Sequence, residues 1–301
     1  MRAITFAAYG GPDVLQLSDV PLPEPGPGQV RVAVRRAGVN PIDWKVRSGA
    51  MAQGSAPKSP QIPGAEFSGV VDAVGDGATV AVGDEVFGWS ATGSYAEYAL
   101  AKAVARKPAS LSWEDAAALP VAGETALRIL RLLEVKAGDL LLIHGASGTV
   151  GRFATQAAVA LGATVIGTAG QRSLDEVKSL GAIPVLYGDG WPERVREAAD
   201  RPVDAVFDAS GHGVLPDSVE LRGSKERVVT IADGAAFELG LPFSAGGADD
   251  QKPEVLEEIL EYAGRGLQIA QGTSYPLEEA AAAQEESQAG HPGGKITIVV
   301  S

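Results

Sequence analysis

The 301-residue chain has no cysteine, three histidines and two methionines, and aromatic residues make up only 6% of it. Without cysteine there is no disulfide, no thiolate nucleophile, no Cys-ligated zinc and no Cys-held iron–sulfur cluster. His144, His212 and His291 form no spacing such as H-E-x-x-H, so structural roles and no bound metal are expected. Positive charge is scarce too: 25 Lys and Arg against 38 Asp and Glu leave a net charge of −13, which repels DNA and RNA. No apolar run reaches the length of a membrane span, and the N-terminal Met1-Arg2-Ala3-Ile4-Thr5 leads into no signal segment. The expectation is a cytoplasmic protein with neither nucleic-acid nor membrane partners.

Glycine (38) and proline (19) are plentiful, and their distribution is uneven. Length alone, at about 150 residues per domain, suggests two domains. In the first third, clusters such as Pro21-Leu22-Pro23-Glu24-Pro25-Gly26-Pro27-Gly28 separate short β-branched runs such as Val30-Arg31-Val32-Ala33-Val34, the texture of a β-rich domain. At Ser112, an N-cap for Trp113-Glu114-Asp115, the texture changes. Helices (Trp113 to Leu119, Gly123 to Leu133, Val150 to Leu161, Leu174 to Leu180) then alternate with apolar strands at Leu140, Ala163, Val203 and Arg227, which predicts a doubly wound parallel sheet. Helices are also predicted over Pro253 to Gly264 and Leu277 to Gln288. From Asp249 to Gly290 there are ten acids and two bases, the solvated faces of those helices. The closing Lys295-Ile296-Thr297-Ile298-Val299-Val300 again reads as a strand, so the chain is expected to return to its first domain.

The strongest chemical signal follows the Leu140 strand, where Gly145, Ala146, Ser147, Gly148, Thr149, Val150 and Gly151 open a helix. Read as G-x-G-x-x-G with alanine first, Ala146 makes the turn, Gly148 lets a pyrophosphate approach, and Gly151 lets the helix pack closely on the strand. About 20 residues on, an acid would bind the ribose 2′-hydroxyl of NAD. The segment Gly167-Thr168-Ala169-Gly170-Gln171-Arg172-Ser173 has no acid and offers Arg172. Arginine pairs bidentately with a 2′-phosphate, so NADPH is the expected cofactor. A plain surface charge, contested by Asp175 and Glu176, is the other reading of Arg172.

With these residues, Gly38 to Gly49 (Gly-Val-Asn-Pro-Ile-Asp-Trp-Lys-Val-Arg-Ser-Gly), Gly64-Ala65-Glu66-Phe67-Ser68-Gly69, Ala116-Ala117-Ala118-Leu119-Pro120 and Gly293-Gly294-Lys295-Ile296, the chain resembles the zinc-free quinone oxidoreductase branch of the medium-chain dehydrogenase/reductase superfamily. The resemblance implies a GroES-like β-rich catalytic domain (1–115 and 272–301) with an inserted Rossmann domain (116–271). It also implies NADPH in a cleft, a homodimer, and hydride transfer to a quinone or an α,β-unsaturated carbonyl. Zinc relatives carry Cys where Asn40 stands and Gly-His-Glu where this chain has Gly64-Ala65-Glu66, which removes the Lewis acid that carbonyl reduction uses. An enoyl-thioester reductase and a non-catalytic NADPH-binding regulator are the alternatives.

By the same resemblance Lys45 is the donor to the substrate oxygen, with a solvated lysine as the competing reading. Asn40 is either its hydrogen-bonding neighbour or a turn residue before Pro41. Asp43 either pairs with Lys45 or Arg47 or is exposed, and Trp44 is either core or an aromatic wall for a flat acceptor. Thr125 would bind the nicotinamide amide, Tyr187 would lie near the adenosine phosphate, and Ser210 and Ala232 would touch cofactor at the ends of later strands. Asp208 caps a turn in the plainer reading. Phe243 either covers the nicotinamide or packs, and Lys295 is a structural mark. Glu124 departs from the family, where a small or apolar residue is usual.

Overall fold

The computed structural model describes residues 1–52, 57, 59–290 and 293–301, so His291 lies outside the described residues. Contacts divide the chain into two units, Met1–Val121 with Gln251–Leu260 and Ile269–Ser301, and Ala122–Asp250 with Glu261–Gln268. The sequence-based boundaries lie at 115/116 and 271/272, whereas contacts divide the chain after Val121, Asp250, Leu260 and Gln268, the first and third of these inside helices.

The first unit holds β1 (Arg2–Thr5), β2 (Gln16–Asp19), β3 (Val30–Gly38), α1 (Pro41–Ser48), β4 (Glu66–Val74), β5 (Glu85–Trp89), β6 (Tyr98–Ala101), β7 (Val104–Arg106) and the start of α2 (Trp113–Leu132). Helix α1, absent from the sequence expectation, begins after Asn40 with Pro41 at its first position and stops at Gly49, whose φ of 84° few other residues adopt. Helix α2 starts as expected, with Ser112 Oγ accepting the Asp115 N–H at 3.0 Å. It then runs unbroken through Pro120 instead of splitting into two helices. A proline removes one helical hydrogen bond, and surrounding groups can make that loss good. Here the next N–H, that of Val121, donates to Glu66 Oε2 at 2.7 Å.

The second unit continues with β8 (Leu140–His144), α3 (Thr149–Ala160), β9 (Thr164–Ala169), α4 (Leu174–Ser179), β10 (Ile183–Leu186), α5 (Trp191–Ala198), β11 (Ala205–Asp208), α6 (Leu215–Arg222), β12 (Val228–Thr230) and α7 (Ala236–Leu239). Helix α8 (Pro253–Gly264) crosses the boundary, and β13 (Gln271–Pro276), α9 (Ala280–Ala289) and β14 (Lys295–Val299) complete the first unit. Strands of the second unit form a five-stranded sheet in the order β10-β9-β8-β11-β12, every pair parallel. At its centre all five residues of β8 are buried, as its unbroken apolar run requires.

In the first unit the order is β13-β14-β3-β4-β5-β7, with β6 also on β3. Strand β14 pairs antiparallel with β3, Thr297 opposite Gly38, which brings the chain's end back to its beginning as the strand texture implied. Val32, Val34, Phe67, Val86, Tyr95, Ile296 and Ile298 make up much of that core. Each contributes roughly 1.5–3 kcal/mol by leaving water. Among the described residues no helix is long and apolar enough to cross a membrane.

Packing is tight at Gly38, at the end of β3. A Cβ there would lie 2.3 Å from Glu66 Oε1 and 2.6 Å from the Ala117 carbonyl oxygen. Gly38→Ala is expected to destabilise the protein by about 1–3 kcal/mol, because the buried carboxylate and the α2 backbone must both move. Thermal melting checks this, and an unchanged melting temperature contradicts it.

Candidate active site

Two strands and a helix start deliver polar side chains into the apolar core of the first unit. Asn40 precedes α1, Glu66 opens β4, and Lys295 opens β14. All three are buried, at 6%, 0% and 2% exposure. The Lys295 ammonium donates to Glu66 Oε1 at 2.5 Å and to Asn40 Oδ1 at 2.6 Å, and Asn40 Nδ2 donates to Glu66 Oε1 at 2.8 Å. With Val121 N–H on Oε2, Glu66 accepts three hydrogen bonds, so both of its oxygens are satisfied inside the core. Asn40 stands at the turn before Pro41, where it caps α1, and its side-chain amide is bound to Lys295 and Glu66. Lys295, expected as a structural mark, is buried in the same network.

Asp43 is neither exposed nor paired with Lys45 or Arg47. It is buried, and its Oδ2 accepts the Asn40 backbone N–H at 2.8 Å and the Tyr95 hydroxyl at 2.9 Å. Burial raises its carboxyl from 3.8 to about 7, against the pull of those two bonds and of Lys295, and with a further push from Glu66. Burial also holds the Tyr95 phenol well above its usual value. Arg47 is 1% exposed and takes neutral acceptors: Gln284 Oε1 at 2.7 Å, the Gly10 carbonyl at 2.8 Å and Gln288 Oε1 at 2.9 Å. Lys45 is half-buried, its ammonium 5.7 Å from the centre of the Trp44 ring. The Trp44 indole N–H is buried without a partner.

In the second unit the glycine loop does what its spacing implied. Gly145 takes a φ of 74°, Gly148 N–H bonds Gly145 O at 3.0 Å, and a Cβ on Gly151 would lie 2.1 Å from Gly145 O. Gly148 caps α3 with no side-chain hydrogen bond and no acid stands in the first turn, which leaves the amides of Thr149, Val150 and Gly151 for an anion. Ser147 is partly exposed, whereas Ala146 is fully buried and its N–H goes to Thr168 O at 3.0 Å. Thr168 is also turned inward. Its hydroxyl lies 3.2 Å from His144 Nδ1, while His144 Nε2 lies 3.1 Å from Ser218 Oγ. Burial pushes His144 down to about 4, so it stays neutral and structural, as expected.

Where β9 and β10 end, Gly170 lies against the Tyr187 ring, 3.2 Å from where its Cβ would be, and Tyr187 is half-exposed. Arg172 is exposed, and Glu176, one of its two expected competitors, pairs instead with Arg152. Asp208 does cap its turn, accepting Ser210 N–H at 2.9 Å, Ser210 Oγ–H at 2.8 Å and Thr230 Oγ1–H at 2.8 Å. Ala232 N–H in turn bonds Thr230 Oγ1 at 3.0 Å. Phe243 stacks on Phe237, centroids 5.3 Å apart. Thr125 donates to Glu124 Oε2 at 3.3 Å. The unexpected Glu124 is explained by a residue sequence reasoning missed, Arg128, whose Nε donates to Glu124 Oε1 at 2.6 Å and whose Nη1 bonds Ser244. Burial raises the Glu124 carboxyl while Arg128 pulls it back. The i, i+4 spacing of the pair was the available signal.

Residues 26–109 match the alcohol dehydrogenase GroES-like domain and residues 149–245 match the zinc-binding dehydrogenase domain. The quinone oxidoreductase of Homo sapiens is 32% identical over 309 residues, covering 95% of this chain and 93% of that protein. This chain belongs to the quinone oxidoreductases of the medium-chain dehydrogenase/reductase superfamily. Another similar protein is the chloroplastic NADPH-dependent alkenal/one oxidoreductase of Arabidopsis thaliana, 32% identical over 316 residues that cover 99% of this chain and 79% of it. The solved quinone oxidoreductase of Coxiella burnetii shares the fold with a TM-score of 0.86 at 32% identity, covering 100% of this chain and 99% of that one.

The matched domain's description names zinc, and the residues of this quinone oxidoreductase do not fit it. Asn40 and Ala65 offer no imidazole or thiolate, and among the described residues no group of three His, Asp or Glu is placed to hold a metal. Glu66 already carries the Lys295 ammonium, which a dication would have to displace. A dinucleotide does fit, because the uncapped α3 N-terminus and the exposed Arg172 offer donors to its phosphates.

The buried Asp43 predicts a pH effect of definite sign. Its folded value, about 7, lies above the unfolded one, so folding takes up a proton and stability falls as pH rises from about 4 through about 7. Asp43→Asn removes this dependence. The stability of the wild type relative to the variant should therefore fall between about pH 5 and pH 8 in chemical denaturation. A difference that does not change with pH rules the assignment out.

Proposed function

We propose that this chain is an NADPH-dependent reductase of quinones or α,β-unsaturated carbonyls that works without zinc. The observation that carries the reading is full-length similarity to quinone oxidoreductases in a chain whose metal position holds a lysine-bound glutamate. Support for NADPH comes from the exposed Arg172 in a segment without acids, and from the name of the alkenal/one oxidoreductase relative. Bound NADPH would supply a hydride from nicotinamide C4.

The chain's own residues bind, orient and stabilise. Amides of Thr149, Val150 and Gly151 take the pyrophosphate, Arg172 takes the 2′-phosphate, and Gly170 and Tyr187 line the adenosine side. Thr125 takes the nicotinamide amide, the strand ends at Ser210 and Ala232 line that half, and Phe243, stacked on Phe237, covers it. Lys45 donates to the acceptor oxygen as negative charge develops there, which is the term that lowers the barrier. Trp44 offers its face to a planar acceptor. A conjugated acceptor spreads that charge over its π-system, so one ammonium can replace a Lewis acid.

NADPH consumption with 9,10-phenanthrenequinone, benzoquinone and a 2-alkenal tests the reading. Tight NADPH binding without turnover of any of them would falsify it. Arg172→Ala should raise the KM for NADPH by roughly tenfold or more and leave that for NADH nearly unchanged, since it removes only a 2′-phosphate contact. Equal effects on the two cofactors sink the assignment. Lys45→Ala should lower kcat by roughly 10- to 100-fold at unchanged NADPH KM. An unchanged kcat would return Lys45 to the solvent.

A further inference from the structure

We infer that Lys295 is a positioning residue for the reductase: its buried ammonium, bound to Glu66, fixes the side-chain amide of Asn40 in one orientation and leaves one Nδ2–H for the acceptor. The inference rests on the proposed reductase reading and adds to it the source of order at the site.

An amide side chain has two nearly isosteric orientations, and only its partners choose between them. At Asn40 both partners are charged and of opposite sign. Oδ1 accepts from the Lys295 ammonium at 2.6 Å, and Nδ2 donates to the Glu66 carboxylate at 2.8 Å. A flip would aim the NH2 group at an ammonium and the carbonyl at a carboxylate, two like-charge clashes in a core where neither can be screened. Glu66 is itself immobile, since its other oxygen holds Val121 N–H at 2.7 Å and Gly38 leaves it no slack. One hydrogen of Nδ2 is spent on Glu66, and the other remains. A neutral donor of fixed direction suits a hydride acceptor, because no reorganisation is required when charge appears. Where the zinc relatives carry Cys, this chain carries an amide held by an internal ion pair.

A purely structural role for Lys295 would be to neutralise Glu66, and a double variant separates the two. Lys295→Met alone strands a buried bare carboxylate and is expected to destabilise the fold, whereas Lys295→Met with Glu66→Gln is neutral and keeps an acceptor for Val121 N–H. The double variant is expected to recover most of the wild-type melting temperature while its kcat with 9,10-phenanthrenequinone stays roughly tenfold or more below wild type at unchanged NADPH KM. A folded double variant with kcat within about twofold of wild type overturns the inference. A second readout does not depend on turnover. The Asn40 side-chain amide signals in a 15N-correlated NMR spectrum, assigned by their loss in Asn40→Ala, should be slow to exchange in the wild type and averaged in the double variant. Identical signals in both overturn the positioning role. If the wild type reduces no acceptor, the reductase reading falls by itself and the amide signals still decide the role of Lys295.

Discussion

The first unit depends on one buried ion pair. Lys295 and Glu66 lie 229 positions apart in sequence, and their contact closes the end of the chain onto β4 and, through Val121, onto α2. Taking two charges out of water costs several kcal/mol each, and their attraction returns that only if every remaining valence is satisfied. Here Glu66 is satisfied three times, and the ammonium has an amide as well as a carboxylate. Removing one partner strands the other, at roughly 3–5 kcal/mol. Such a pair adds little stability over a well-packed apolar core. What it supplies is selection, because only the register that sets Thr297 opposite Gly38 brings the two charges together.

The same pair explains why Gly38, Pro120 and Asn40 stand where they do. A carboxylate that reaches a helix backbone needs a strand with no side chain beside it, and Gly38 provides that gap. Proline in α2 leaves the neighbouring backbone to be satisfied from outside the helix, and Glu66 does so at Val121. Asn40 then has to present a carbonyl to one charge and an NH2 to the other. The second unit meets the opposite problem, an external anion in a protein of net charge −13. Its answer is short-range: uncapped amides at the start of α3, no acid in that first turn, and an arginine free of Glu176.

The legible features were those written within a few residues. The glycine loop, the apolar run of β8, the Ser112 cap and the return of the last strand all rest on local spacing, and local spacing survives folding. The buried polar groups were not legible. Asp43 looked like a partner for a helical neighbour, yet its hydroxyl partner, Tyr95, is 52 positions away, and the Arg47 acceptor Gln284 is 237 away. Two helices, Trp113 to Leu119 and Gly123 to Leu133, were expected, but α2 runs through Pro120, where the Glu66 carboxylate takes the Val121 N–H. Thr168 and Ser210 sit where cofactor contacts were expected, and their hydroxyls are spent on His144 and Asp208. Propensity cannot show such commitments, because a distant residue decides them.

Two perturbed titratable groups, one in each unit, follow one rule with opposite signs. His144 and Asp43 are both fully enclosed, and each is driven toward its neutral form, His144 down to about 4 and Asp43 up to about 7. Neutral His144 contributes stability that is lost as pH falls from 6.5 through about 4, since the unfolded imidazole takes up its proton first. Protonated Asp43 contributes stability that is lost as pH rises from 3.8 through about 7. So acidification below about pH 6.5 weakens the second unit through His144, while a rise in pH from about 4 to about 7 weakens the first unit through Asp43. Asp43 meets a phenol and a backbone N–H rather than an ammonium in contact, and burial outweighs those bonds and pushes its carboxyl up to about 7.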